Sequence, residues 1–238
     1  MNDRTALVTG ANKGIGLHIA SLLAAEGFAV HVGSRDAERG QRAVAEIGPA
    51  ARLLHLDVTD ADSIAAAAAR VDRLDVLVNN AGINPSLATP TESDAGEFRR
   101  AYDTNVIAVL EVTNAFLPAL RRSPHPRIVN ISSGTASLTW STRPNPQFTP
   151  GTPGSAAYRA SKAALNALTL LYAQTLTEEG FKINTLAPGR RATDLLPGAR
   201  PSGGDPAEAA QGAVRLALLP DDGPTGEFFS WDGTGVPW

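Results

Sequence analysis

Tyr158 and Lys162 stand four residues apart in Tyr158-Arg159-Ala160-Ser161-Lys162. On a helix this spacing puts both side chains on one face, a turn from each other. An ammonium held there lowers a phenol's pKa from its ordinary value of about 10 towards neutrality. A phenol tuned in that way can give or take a proton at working pH. Tyr-x-x-x-Lys arises by chance on many helices, so other residues must add the weight. Thr9-Gly10-Ala11-Asn12-Lys13-Gly14-Ile15-Gly16 is a glycine-rich turn, Asn79-Asn80-Ala81-Gly82 is a second turn, and Ser132-Ser133 lies upstream of the Tyr. Glycines between a strand and a helix let backbone approach a diphosphate, and the helix N-terminus offers it unpaired N–H groups. Taken alone, such a turn is a tight loop at least as often as a nucleotide site.

The elements that must position these residues alternate short β-branched runs with longer helical periods. That pattern predicts an α/β fold, a single-domain doubly wound parallel sheet of about seven strands flanked by helices. Strands are expected at Thr5–Thr9, Ala29–Gly33, Arg52–Leu56, Asp75–Asn79, Arg127–Ile131, Phe181–Leu186 and Glu227–Ser230. One long helix is expected over Glu97 to Leu120 and another over Ser155 to Glu179, with a Pro/Thr/Ser-rich loop from Gly134 to Gly154. Neither a repeat nor a linker interrupts residues 1–238, which read as one domain.

A hydrophobic content of 43% and a net charge of -3 suit a globular protein and argue against a general nucleic-acid binder. Cysteine is absent, which excludes disulfide and thiol chemistry. Apolar helical stretches are broken by polar residues, so no membrane span is expected, and Met1 leads into the first strand without a signal pattern. A cytoplasmic location is the default. His18, His31, His55 and His125 show no metal-ligand spacing, and no metal is expected.

In order along the chain, Thr9 to Gly16, Asp57-Val58, Asn79 to Gly82, Asn105, Ser133, Tyr158 with Lys162, and Pro188-Gly189 followed by Thr193 resemble the short-chain dehydrogenase/reductase family, its carbonyl-reductase-like branch included. The resemblance covers essentially the whole chain. It implies a Rossmann-type fold, a nicotinamide cofactor and a small carbonyl or alcohol substrate, commonly in a homodimer or homotetramer. Tyr158 would be the general acid/base, Lys162 would support its phenolate and bind the nicotinamide ribose, Ser133 would fix the substrate oxygen, and Asn105 would hold a relay water. Strand alternation and family register favour Ser133 over Ser132. Cofactor contacts are implied for Gly10, Asn12, Lys13, Gly14, Ile15, Gly16, Asp57, Val58, Asn79, Ala81, Gly82, Pro188, Gly189 and Thr193, besides Tyr158 and Lys162.

Family alignment puts Ser34, followed by Arg35, where an acidic residue would bind the free ribose hydroxyl of NAD. A hydroxyl, a guanidinium and the Lys13 ammonium suit a 2'-phosphate, so the expected cofactor is NADP(H). Asp36 lies one residue too late and is expected to face solvent. The implied activity is reversible reduction of a ketone or aldehyde by NADPH. The alternative is a non-catalytic NADP-binding regulator or sensor, which would have no chemical need for Ser133, Tyr158 and Lys162 together.

Two stretches depart from the family pattern. Ser133 and Tyr158 are 25 positions apart, and the excursion between them carries Trp140 and Phe148. It is expected to wall the substrate pocket, which would lie between loops 134–157 and 190–204, with Leu195 to Gly204 as a lid. Arg190-Arg191 follows Pro188-Gly189, and Arg191 stands where relatives hold an aliphatic residue. It could bind a substrate anion, reach a cofactor phosphate, or lie along the surface with its head in water. The apolar tail from Phe228 to Trp238 is expected to dock on its own core or on a partner subunit.

Overall fold

Seven strands form one parallel sheet: β1 Thr5–Thr9, β2 Ala29–Ser34, β3 Ala51–His55, β4 Val76–Asn79, β5 Arg127–Ile131, β6 Lys182–Ala187 and β7 Phe228–Ser230. The computed structural model describes residues 4–149, 151, 153–195 and 203–238. Strand order is β3-β2-β1-β4-β5-β6-β7, with every pairing parallel. The order reverses between β1 and β4, so the chains leaving those two strands part and open a crevice at the carboxyl edge.

Successive residues of the central strands serve opposite faces of the sheet, as the pleat requires. Val8, Val78 and Val129 are in register on one face, packed with Ile19 and Leu23 of helix α1 (Gly14–Ala25) and Ala213 of α8 (Pro206–Ala217). Leu7, Leu77 and Ile128 are in register on the other, against Ile64 of α3 (Ala61–Ala68), Phe116 of α5 (Ala108–Leu120) and Leu176 of α7 (Ala156–Leu176). Each such fully buried side chain contributes roughly 1.5–3 kcal/mol.

Aspartates start several helices by accepting backbone N–H groups: Asp36 for α2 (Ala37–Ile47), Asp60 for α3, Asp94 for α4 (Ala95–Tyr102) and Asp205 for α8. The expected helix from Glu97 to Leu120 is instead two helices, α4 and α5, joined by a π-helical turn at Asp103–Ile107 that carries Asn105. Apolar periodicity runs through such a turn, so sequence pattern does not reveal it. The excursion expected to be a loop contains a 3₁₀ turn, Gly134–Ala136, and a short helix, α6, at Leu138–Thr142.

The apolar tail docks on its own core. Trp238 stacks on Phe228 with ring centroids 5.4 Å apart, and Val236 is buried with Trp140 and Phe228. Thr139 donates to the Trp238 carbonyl from its N–H at 3.3 Å and its hydroxyl at 2.9 Å. No helix among the described residues is long and apolar enough to cross a membrane.

Candidate active site

Gly10 and Gly14 have φ of 63° and 56°, the left-handed region that favours glycine. At Gly16 the constraint is space: a Cβ there would lie 2.6 Å from the Gly10 carbonyl oxygen and would strike Asn80 Nδ2. Asn80 ties the two parting strands together, donating from Nδ2 to the Thr9 carbonyl at 2.9 Å. Thr9 Oγ1 in turn accepts the Asn80 and Ala81 N–H groups at 2.9 and 3.0 Å. Lys13 is the N-cap of α1 and caps it with no side-chain hydrogen bond, and the first turn holds no acidic residue. The amide groups of that turn are therefore free to meet an anion.

Above this turn lies a cleft of about 680 Å³. Its walls include Gly10, Asn12, Lys13, Gly14, Ile15 and Gly16 from the glycine turn. Ser34, Arg35, Asp57, Val58, Ala81, Gly82, Tyr158, Lys162, Pro188 and Thr193 also face it. Four residues expected there do not line it: Asn79, Gly189, Asn105 and Ser133. Asn79 is turned inward, donating to Thr113 Oγ1 at 3.1 Å and Asn130 Oδ1 at 2.8 Å. Gly189 faces Trp231, 3.2 Å from where a Cβ would stand. Alternation along β4 explains the first: Asn79 is in the strand and buried, and its neighbour Asn80 reaches the cleft. Arg100 and Thr104, one helical turn apart, line the cleft as well and were missed. Their spacing from Asn105 was the available signal.

At the far end, Ser34 is buried and donates its hydroxyl to the Asp36 carbonyl at 2.8 Å, while Arg35 is exposed. Asp36 is committed to α2, accepting the Arg39 N–H at 2.9 Å and pairing with Arg39 Nε at 3.2 Å. It is partly exposed, as expected, and lies outside the cleft lining. Burial works against the Asp57 carboxylate, yet hydrogen bonds from Thr59 and the Arg35 charge leave its pKa below the ordinary value. Lys13 Nζ pairs with Asp194 Oδ2 at 3.1 Å, joining the glycine turn to the loop after β6 across the cleft.

Tyr158 and Lys162 are both buried on α7. Lys162 Nζ donates to the Ile131 carbonyl at 2.7 Å and lies 5.9 Å from the Tyr158 ring centroid. Burial pushes the Tyr158 phenol up to about 12, with a hydrogen bond from the Ser133 side pulling the other way. Burial also pushes the Lys162 ammonium down to about 8. Both shifts correct the sequence reading, in which the ammonium lowers the phenol. In the protein alone desolvation outweighs the pair's mutual attraction, because both charged forms lose water. Ser132 is buried yet lines the cleft, donating to Asn166 Oδ1 at 2.6 Å, whereas Ser133, expected in the cleft, does not line it and shares a hydrogen bond with Thr135 Oγ1 at 2.8 Å.

Asn105 does not line the cleft but clamps its wall. Its Oδ1 accepts the Ile83 N–H and its Nδ2 donates to the Ile83 carbonyl, both at 2.9 Å, and Nδ2 also donates to Ser161 Oγ at 2.9 Å. A Cβ on Gly82 would stand 3.1 Å from Asn105 Oδ1 and 3.3 Å from Lys162 Nζ, so the glycine lets these groups converge.

Arg191 takes none of the three roles considered for it. Its side chain is 5% exposed and turned inward, donating from Nε to the Pro188 carbonyl at 2.6 Å and pairing with Glu208. The guanidinium also lies 4.3 Å from the Trp231 ring centroid. From the excursion, no described residue between 134 and 157 lines the cleft. Trp140 packs with Phe228 and Val236, and Arg159 ties α7 to α6 through Ser141 Oγ at 3.1 Å. Most of the segment expected to be a lid, 196–202, lies outside the described residues.

A doubly wound parallel sheet with a glycine-turned crevice at its strand reversal and a buried Tyr/Lys pair beside it defines a dinucleotide-dependent oxidoreductase architecture. The family model described as short chain dehydrogenase matches residues 4–202, and the chain belongs to that short-chain dehydrogenase/reductase family. It is 34% identical to (-)-isopiperitenone reductase of Mentha piperita, over 97% of each chain. It is 37% identical to cyclopentanol dehydrogenase of Comamonas testosteroni, over 82% of this chain and 76% of the relative. Among solved structures, the NADPH-bound carbonyl reductase from chicken fatty liver superposes with a TM-score of 0.83 at 31% identity, covering 100% of both chains. A 3-ketoacyl-(acyl-carrier-protein) reductase from Brucella melitensis, complexed with NADH, gives 0.82 at 26% identity over 95% of this chain and 96% of the other. The family binds nicotinamide cofactors and acts on alcohol and carbonyl groups.

Proposed function

We propose that the protein is an NADPH-dependent oxidoreductase that reduces a ketone or aldehyde to an alcohol, reversibly. The observation that carries this is the Tyr158 phenol, buried beside Lys162 and influenced by the Ser133 side chain, at one end of a cleft whose other end is the uncapped α1 N-terminus. When bound, the reduced cofactor supplies the hydride that the carbonyl carbon accepts. The glycine turn and the α1 amides would hold its diphosphate, with Val58 and Thr193 along the walls. Ser133 would orient the carbonyl oxygen. Tyr158 would pass its phenolic proton to that oxygen as charge develops there, and Lys162 would stabilise the phenolate left behind. Asn105, through the segment it clamps and its bond to Ser161, would order the path by which Tyr158 regains a proton.

The choice of NADP(H) rests on three residues around the far end of the cleft: Ser34, Arg35 and Lys13. Asp36, the one nearby carboxylate that could oppose a 2'-phosphate, is engaged in capping α2. A homodimer through α5 and α7 would cover Leu110 and Leu171, exposed on those helices, and Ile107, exposed in the π-helical turn that precedes α5. The substrate would enter beside Ala192, Asp194 and Leu195, which line the cleft after β6.

NADPH oxidation across a panel of ketones and aldehydes tests the reading. Tyr158→Phe should lower turnover by about a hundredfold or more while leaving cofactor binding intact. Full-rate turnover by that variant would contradict the mechanism. Arg35→Asp should shift preference from NADPH towards NADH, and an unchanged preference would overturn the cofactor assignment.

A further inference from the structure

Asn84 has a carboxamide that the chemistry above does not use. It follows Ile83, whose N–H and carbonyl are both held by Asn105 at 2.9 Å. Its own N–H donates to the Leu195 carbonyl at 3.4 Å, so the backbone at this point is fixed from both walls of the cleft. Asn84 is 7% exposed and lines the same cleft as Tyr158 and Lys162. Nδ2 donates to Ser155 Oγ at 3.1 Å, while Oδ1 finds no partner. Buried carboxamide oxygens are rarely left unpaired, because losing water without gaining a donor is unfavourable.

The anchor is unusual too. Ser155 is the only non-glycine residue with positive φ among the described residues, at 58°. It sits at the start of α7, three residues before Tyr158, and its carbonyl accepts the Arg159 N–H at 2.9 Å. A strained backbone and an unsatisfied buried acceptor thus meet at one hydrogen bond, a turn from the phenol. Such departures persist where the surrounding structure holds them, and they cluster at ligand-binding sites.

We propose that Asn84 Oδ1 is a specificity element, accepting a hydrogen bond from a hydroxyl that the substrate carries near its reacting carbonyl. The substrate class is then the hydroxyketones, an inference that rests on the reductase reading above. Ser155 acts as a positioning residue that holds the carboxamide with its oxygen free. Arg191 is not available to a substrate carboxylate, since it is turned into its own pair with Glu208. A site built around an unpaired acceptor discriminates by rejecting the analogue that lacks the donor.

The probes are cyclohexanone and its 2-, 3- and 4-hydroxy derivatives, with kcat/KM read from NADPH oxidation. Wild type should favour at least one hydroxyketone over cyclohexanone by about tenfold or more. In Asn84→Leu that ratio should fall to near one, and Asn84→Asp, which keeps an acceptor, should retain a preference. A merely structural Asn84 would lower all four rates together and leave the ratio alone. The proposal is overturned if no hydroxyketone exceeds cyclohexanone threefold in wild type, a result that needs no variant to fold. It is equally overturned if the ratio survives in Asn84→Leu. Should wild type turn over none of the probes, the reductase reading is judged separately by the ketone and aldehyde panel. Calorimetric binding of the three cyclohexanediols against cyclohexanol, to wild type with NADP and to Asn84→Leu, then decides Asn84 alone.

Discussion

Replacing Lys162 by Met should stabilise the protein at neutral pH while abolishing its chemistry. Lys162 is 4% exposed, and its ammonium donates to the Ile131 carbonyl at 2.7 Å. Its pKa falls from 10.5 to about 8 because burial disfavours the charged form. That difference corresponds to about 3 kcal/mol of stability withheld at pH 7, where the ammonium is buried and protonated. Met fills a similar volume without a charge, but it leaves the Ile131 carbonyl short of a donor, which costs about 1–2 kcal/mol. The net gain at pH 7 is then about 1–2 kcal/mol, or roughly 2–8 °C in Tm for a chain of this size.

The sign reverses with pH. A group whose folded pKa is depressed stabilises the fold fully above its unfolded pKa, near 10.5, and that contribution is lost as pH falls through about 8. By pH 10 wild type has recovered most of the withheld stability, leaving under about 1 kcal/mol, and Lys162→Met should no longer be the more stable. Tyr158 is present in both proteins, so its own titration cancels in the difference to first order. Calorimetric melting of cofactor-free wild type and variant at pH 7 and pH 10 measures this directly. A stability difference that stays constant over that range, or a variant less stable at pH 7, would refute the argument that desolvation governs this site. Turnover should drop by a hundredfold or more in the variant at every pH, since the phenolate loses its counter-charge.

Asp194→Asn should free Lys13 and tighten NADPH binding severalfold at low ionic strength, read by cofactor fluorescence. The gain should vanish at high salt, because the Lys13–Asp194 pair is half exposed and readily screened. Equal affinity in the two proteins at low salt would mean that Lys13 does not meet the cofactor's charge. Arg191→Leu should lower stability by about 1–3 kcal/mol in urea melts, because it leaves the Pro188 carbonyl without the guanidinium and Glu208 without its partner. Acidic and neutral substrates should be affected alike, and a loss confined to acidic ones would restore Arg191 as an anion binder.

The strand pattern, the glycine turn and the order of motifs were legible because each depends on residues close in sequence. A run such as Thr5–Thr9 declares a buried parallel strand by composition, and Gly10, Gly14 and Gly16 declare the turn by what a Cβ would strike or a positive φ would strain. Alternation was legible in principle as well. Applied to Asn79 and Asn80 it would have assigned the inner and outer residue of that pair, whereas of the two serines it is Ser132 that lines the cleft. The π-helical turn at Asn105 was not legible, because it shifts helical register without changing apolar content.

What the sequence determined by itself was the family, the sheet and the presence of a Tyr/Lys pair on one helical face. Only the tertiary structure decided the electrostatics of that pair, the fate of Arg191 and the partner of Lys13. Spacing along a helix says that two side chains are neighbours, but their pKa values depend on how much water the rest of the fold removes. At Tyr158 and Lys162 it removes nearly all of it, and both groups move towards their neutral forms. Arg191 finds Glu208 and Trp231, and Lys13 finds Asp194, 181 positions away, through contacts that exist only once the sheet has closed.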